Sequence, residues 1–425
     1  MNPFNEPHVN LSSCTEPFKN APPKPYKKEE VDPYTKTRII LMNGTEFEAN
    51  WFSHQLARHT DDNELRRELA LCRYIEKQQQ LKISLLKPAN ESILEHTISY
   101  EQLAVDLTAE LAKRETNANV KEALDFALLE DFDHLYRYAN LLEMEQGIRA
   151  ERLVGNLTEI TPGRPTAAHH RPPKNNVRFP VTAEDDKHTK LHTLIITAAE
   201  QQTMNYYMNV TNLYKSDLGR SLYREIALVE EEHVTQYESL IDPNATWLEM
   251  MLWHEYCECY LYWSCYETET DENIKLLWEE YLSFEIAHLH KAKELLQKYE
   301  GKSYESVIGD GTFPDALSLH SNIDYVRNVL ARTVQYTTCK ECAVPLSDLP
   351  KDTDFLAYQK KTCGNGKELP SHMVIANKIG ADGEDYRFET DENPVPPLRD
   401  RGMDNLEVGR EPGACKEGKF PPCQA

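Results

Sequence analysis

Residues 223–241 read YREIALVEEEHVTQYESLI. Tyr223, Ala227, Val234, Tyr237 and Ile241 recur at the spacing of one helix face, and Glu230 stands in the middle of that face. His233 lies one turn further on. An ionised carboxylate in an apolar stripe costs several kcal/mol unless something pairs with it. The surroundings of Glu230 therefore decide how the chain is read.

Thirty residues before Glu230 stands Glu200, and the midpoint falls in the polar stretch Tyr214–Gly219. That spacing predicts an antiparallel pair of helices, 187–213 and 218–241, joined by a turn. The two carboxylates then lie at one height, each about 20 Å from the turn at 1.5 Å per residue. The pattern recurs in Glu101, Asp131, His134 and in Glu255, Glu285, His288, with midpoints in the turn-like stretches 115–119 and 268–273. With 70 acidic residues and 15 histidines in 425, chance gives roughly 0.4 such triples, and the chain has three.

Each second helix repeats the apolar stripe. Leu124, Leu128, Leu135, Tyr138 and Leu142 flank Asp131; Trp278, Leu282, Leu289, Ala292 and Leu296 flank Glu285. One Glu-x-x-His on an acidic helix is ordinarily a solvated face, but three at equal hairpin spacing are not. A divalent metal held by carboxylate and imidazole is the economical partner for all three. One carboxylate from each first helix with Glu-x-x-His from each second is the di-metal arrangement of helical bundles. Glu258, one turn from Glu255, is a candidate extra ligand, and Glu130, Asp133, Glu231 and Glu232 read as flanking or outer-face charges. On this reading Glu230→Ala relieves an unpaired core charge, so the metal-free variant is expected to be no less stable than the metal-free parent.

The rest of the chain frames these hairpins. Residues 1–37 read as an irregular lead, Arg38 to Trp51 as a short strand or turn, and Asp61 to Leu86 as a helix. Six helices follow, near 90–115, 119–147, 187–213, 218–241, 246–267 and 272–299, with a Pro-rich connection of about forty residues after the second. One more helix is expected at 315–334, then a loosely structured tail over 338–425. The implied division is an N-terminal extension with one helix (1–90), a helical bundle (91–300), and a C-terminal helix with an irregular Cys- and Pro-containing tail (301–425).

A net charge of −23 argues against a general nucleic-acid binder and against a polybasic membrane anchor. No apolar run reaches membrane-spanning length and the start lacks a signal layout, so a cytoplasmic location is expected. Ten cysteines are too few for a disulfide scaffold; Cys257, Cys259 and Cys265 read as buried thiols. Cys339-x-x-Cys342 is half a zinc or rubredoxin-type knuckle without a matching second half, although Cys363, Cys415 and Cys423 follow at irregular spacing. His169-His170 reads as a solvated loop pair, and Tyr206, Tyr207, Tyr260, Tyr262 and Trp263 as core packing.

Over about 95–300 these motifs resemble the ferritin-like superfamily, and within it rubrerythrin-like di-iron proteins. The resemblance implies an all-α, ferritin-like helical bundle, here built from three helical hairpins with irregular N- and C-terminal extensions. It implies metal ligation by Glu101, Asp131, His134, Glu200, Glu230, His233, Glu255, Glu285 and His288, with Asp131 in place of the usual Glu. It also implies two Fe per chain, or Mn, and an oxidoreductase acting with O2 or peroxide and an unidentified electron donor in a homo-oligomer. Three half-sites are one more than a single bundle uses. The long connection favours pairing hairpin one with hairpin two; two with three, one with three, or completion across a dimer stay open. The rival functions are metal capture and detoxification, and a structural helical assembly with relic half-sites.

Overall fold

The structure is a computed structural model describing residues 1–382 apart from 162, 165, 335, 350–352 and 365–367. It is mostly helical, and among the described residues the only sheet is a two-stranded hairpin. In chain order the helices are α1 (Pro33–Arg58), α2 (Asn63–Ser84), α3 (Ile93–Arg114), α4 (Ala118–Gln146) and the single turn α5 (Ala150–Leu153). There follow α6 (Lys187–Leu213), α7 (Asp217–Glu238), α8 (Trp247–Thr268), α9 (Glu272–Glu300) and the short α10 (Glu305–Ile308). Then come α11 (Ile323–Thr333), the hairpin β1 (Tyr336–Cys339) and β2 (Cys342–Pro345), α12 (Phe355–Cys363) and α13 (Pro370–Asp382). No described helix is long and apolar enough to cross a membrane.

The helices form two compact units, each assembled from separated stretches of chain. The first contains Met1–Glu91, Pro180–Gln202 and Ile241–Leu319; the second contains Ser92–Phe179, Thr203–Leu240 and the described residues from His320 onward.

In the first unit two hairpins, α1–α2 and α8–α9, pack on each other through α1 with α8 and α2 with α9. Each helix starts on a side-chain cap: Asp32 accepts from the Tyr34 amide, Asp62 from Leu65, Asp271 from Asn273 and Ile274, and Thr246 forms a capping box with Glu249. The strand or turn expected at Arg38–Trp51 is instead the middle of α1, and the 1–90 region holds two long helices where one was expected. From Tyr34 to Met42 every residue of α1 is buried, so no polar face marks the helical period, and Thr35, Thr37, Ile39 and Ile40 imitate a strand composition. Buried Arg38 is paired with Glu269, at 2.9 Å from Nε, and Trp278 donates its indole N–H to the same carboxylate at 3.1 Å.

Gly44 sets how closely α1 approaches the first part of α6. A Cβ there would lie 2.8 Å from the Gln202 Cβ and 3.2 Å from the Ala198 carbonyl oxygen. Gly44→Ala is therefore expected to lower stability by about 1–3 kcal/mol through overpacking, despite its better helix propensity. The denaturant midpoint measures this; an unchanged or raised midpoint would show that Gln202 gives way freely.

In the second unit the α3–α4 hairpin packs with α7, and α11 and α13 lie against it. Ser92 and Glu95 form a capping box at α3, and α4 ends at Gly147 with φ +66°. The tail expected to be loosely structured carries the β1–β2 hairpin, α12 and α13 in its described part, and α13 packs on both α4 and α7. Cys339 and Cys342 face each other across the tight turn of that hairpin as free thiols; Cys363 is buried. Cys415 and Cys423 lie outside the described residues.

Candidate metal centres

In the second unit α3, α4 and α7 deliver Glu101, Asp131, His134, Glu230 and His233, all buried, to one place. Ligand atoms of Asp131, Glu230 and His233 lie within 4.8 Å of one another, as do those of Glu101, His134 and Glu230. Glu230 belongs to both groups. One of its oxygens lies 3.0 Å from His134 Nδ1 and the other 3.0 Å from His233 Nδ1. Burial alone would raise the Glu230 pKa, but the two histidines outweigh it and hold the carboxyl down at about 2. The donor set is carboxylate and imidazole converging from three helices, groups that could hold a metal ion.

The groups read as outer charges build the wall of this site. Glu130 and Asp133 are fully buried and Glu232 nearly so; Glu231 alone is exposed. Glu130 meets His233 Nε2 at 2.7 Å on one oxygen, and on the other it accepts from Arg171 at 2.6 Å and from Arg164. Burial opposes ionisation of Glu130, yet Arg171 and Arg164 with His233 hold its carboxyl well below the ordinary range. Arg137 binds Asp133 at 3.0 Å. The guanidinium groups of Arg164, Arg171 and Arg178 gather round the Phe126 ring at 4.3, 4.8 and 5.7 Å. Three of these arginines come from the Pro-rich connection, which also inserts His169. That residue was expected in solvent and is fully buried, its ring 5.5 Å from that of His134. His170 is half-buried and reaches Glu225 at 3.1 Å.

In the first unit the third expected half-site, Glu255, Glu285 and His288, meets residues that were not expected. Ligand atoms of Glu76, Glu255 and His288 lie within 4.8 Å of one another, and so do those of Glu255, Glu258 and Glu285. Gln79 Nε2 donates to Glu285 at 2.6 Å and to Glu46 at 3.0 Å. Glu46, Glu76 and Gln79 stand at the same intervals, thirty and three, as the three recognised sets, and the midpoint of the first two, residue 61, lies in the α1–α2 turn. The signal was in the sequence, but a template requiring histidine passes over a set ending in glutamine.

A second repeat lies on top of the first. Tyr207 and Tyr262 each stand seven residues after the first-helix glutamate of their hairpin, Glu200 and Glu255. Tyr207 donates its hydroxyl to Glu101, and Tyr262 donates to Glu46. These two tyrosines do more than pack, although their rings also join aromatic clusters: Tyr207 with Tyr138 and Tyr223, and Tyr262 with Trp278 and Tyr281.

Of the nine expected ligands, the second unit brings together Glu101, Asp131, His134, Glu230 and His233, and the first unit brings together Glu255, Glu285 and His288. Glu200 is buried on α6, on the helix face that carries Tyr207 two turns later. Comparison of the chain with protein-family models, with curated proteins and with solved structures gives no match.

Proposed function

We propose that the chain is a di-metal carboxylate oxidoreductase of ferritin-like, rubrerythrin-like type, acting with O2 or peroxide, with its working centre in the second unit. The observation that carries this reading is the sharing of Glu230 between two ligand groups, one oxygen toward each histidine. Glu101, Asp131, His134, Glu230 and His233 would hold the ions, with Glu200 expected as the sixth ligand from the spacing of the sequence. Iron is the favoured metal and manganese the alternative, since carboxylates with one imidazole per ion suit both.

A bound pair of this kind supplies redox chemistry with a small oxidant. The chain's own groups prepare the site for it. Glu130 fixes the His233 ring through Nε2, which leaves Nδ1 turned toward Glu230. Arg164 and Arg171 keep Glu130 ionised and so hold that ring in one orientation. Tyr207 keeps a proton against Glu101, ready to follow a change of charge on that carboxylate. Leu128 and Leu135, both buried, stand a turn on either side of Asp131 and keep water from its approach along α4.

Elemental analysis of the purified chain, followed by rapid mixing of the reduced protein with O2 or peroxide, tests the reading. Bound iron or manganese that is oxidised quickly and re-reduced through repeated cycles by an added donor is the expected result. Oxidation that occurs once per metal and stops would assign the chain to metal capture instead. A chain that takes up neither metal on reconstitution would sink both.

A further inference from the structure

We propose that the first unit carries a second, separate metal site for one divalent ion between Glu76, Glu255 and His288, with the Gln79 amide filling the position a second ion would take. Fe2+ or Mn2+ is the class of ion that two or three carboxylates and one imidazole select.

The case begins with an excess of buried charge. Glu46, Glu76, Glu255, Glu258 and Glu285 are all at most 3 % exposed, and among the described residues the one basic side chain grouped with them at ligand distance is His288. Among the described residues no arginine or lysine is hydrogen-bonded to any of the five, in contrast to Glu130 of the second unit, which two arginines neutralise. Several atoms of the cluster have no hydrogen-bond partner: Glu76 Oε2, Glu255 Oε2, both oxygens of Glu258, and His288 Nε2. Buried acceptors left this way cost about 1–3 kcal/mol each, more when charged, and a cation removes that cost for those that ligate it.

The site is asymmetric because of one residue. Where the other three sets of the repeat have histidine, α2 has Gln79. Its amide N–H2 donates to both Glu46 and Glu285, and Tyr262 donates to Glu46 from the other side. Those three donated bonds occupy Glu46 Oε1 and Glu285 Oε1 without an ion, and leave Glu46 Oε2 and Gln79 Oε1 without a partner. On the opposite half nothing plays that part: His288 reaches Glu285 at 3.1 Å and Glu255 only at 3.9 Å, and Glu76 completes the triangle. One half is closed by an amide and the other is open to a metal.

The test is metal counting on the full-length chain, with Mn2+ as the probe and paramagnetic resonance as the second readout. The wild-type chain is expected to bind one ion with the spectrum of an isolated Mn2+, in addition to whatever the second unit holds. Glu255→Ala and His288→Ala should each lose that ion and its spectrum while leaving the second unit's ions in place. Gln79→His should gain one ion and convert the isolated spectrum to that of a coupled pair. The helical circular dichroism of each variant identifies a failure to fold, and Gln79→His decides the matter if the other two do not fold. An isolated-ion spectrum unchanged in Glu255→Ala and His288→Ala, or no gain in Gln79→His, overturns the proposal. A wild-type chain that binds this one ion and none in the second unit would instead overturn the functional reading and leave this site standing.

Discussion

Glu230→Ala is expected to empty the second unit of metal and to destabilise the metal-free chain by about 3–5 kcal/mol, the range for breaking a buried ion pair by removing one partner. This reverses what the stripe of apolar residues around Glu230 suggests on its own. There the carboxylate stands alone in a hydrophobic face; in the folded unit it is the common acceptor of His134 and His233, both fully buried. Deleting it strands two imidazoles, one of which is locked from behind by Glu130. Metal-loaded wild type should exceed both metal-free forms in stability by mass action. Urea unfolding of the metal-free parent and variant, with metal counted separately, measures each part. A variant that keeps the second unit's metal removes α7 from the centre, and a metal-free variant as stable as its parent shows that the histidines stand without their carboxylate.

The two units of the metal-free chain should respond to pH in opposite directions. In the second, Glu230 is held at about 2 and Glu130 well below the ordinary 4.5, so their contribution is present above pH 4.5 and is lost as pH falls toward 2; Glu232, raised to about 7 by burial, runs the other way. In the first, burial raises Glu76 to about 7, against which His288 pulls down only in part. The folded unit then keeps a proton that the unfolded chain has released, and stability falls as pH rises from 4.5 to 7, by roughly 3 kcal/mol for this group alone. Glu46, Glu255 and Glu258 have the same sign, burial being the leading cause in each. His288 agrees with them: burial is outweighed by Glu285, Glu255 and Glu76, its pKa rises to about 10, and its contribution is lost as pH climbs from 6.5 through 10. Hydrogen exchange resolved by helix should show α4 and α7 losing protection on acidification while α2, α8 and α9 lose it on alkalinisation. Protection lost in both sets on the same side of neutrality would refute the opposition. Loading with metal should flatten the alkaline limb, because an ion competes with the protons on Glu76, Glu255 and His288.

What could be read from sequence follows from which signals are local. The six helices from α3 to α9 that carry a Glu-x-x-His or its partner match their expected bounds closely, because capped ends and a repeating interval mark them. Helix α1 was hidden because it is buried on nearly every side, so its period leaves no trace in polarity. The surplus half-site was a sign that a fourth hairpin existed. Its glutamate pair Glu46 and Glu76 obeys the common interval, and only Gln79 disguised it. The arginines that hold Glu130 were beyond reach for a different reason. Arg164 and Arg171 lie 34 and 41 residues from it, in a Pro-rich stretch without periodicity, and only the folded chain brings them in.

The nested order of segments in the two units also fixes a schedule for synthesis. Of the second unit, α3, α4, α7 and the part of α6 from Thr203 onward are all available once residue 240 has left the ribosome, and α11 and α13 follow after residue 320. Helices α1 and α2 are made first, yet the hairpin they pack against, α8–α9, is not complete until residue 300. Domains generally fold as units as the chain emerges. The earliest-made hairpin is thus the last to find its mate, and it carries Glu46, Glu76 and Gln79 unpaired through the interval. Nascent chains released before residue 247 would present that hairpin, without its partner helices, to chaperones and proteases.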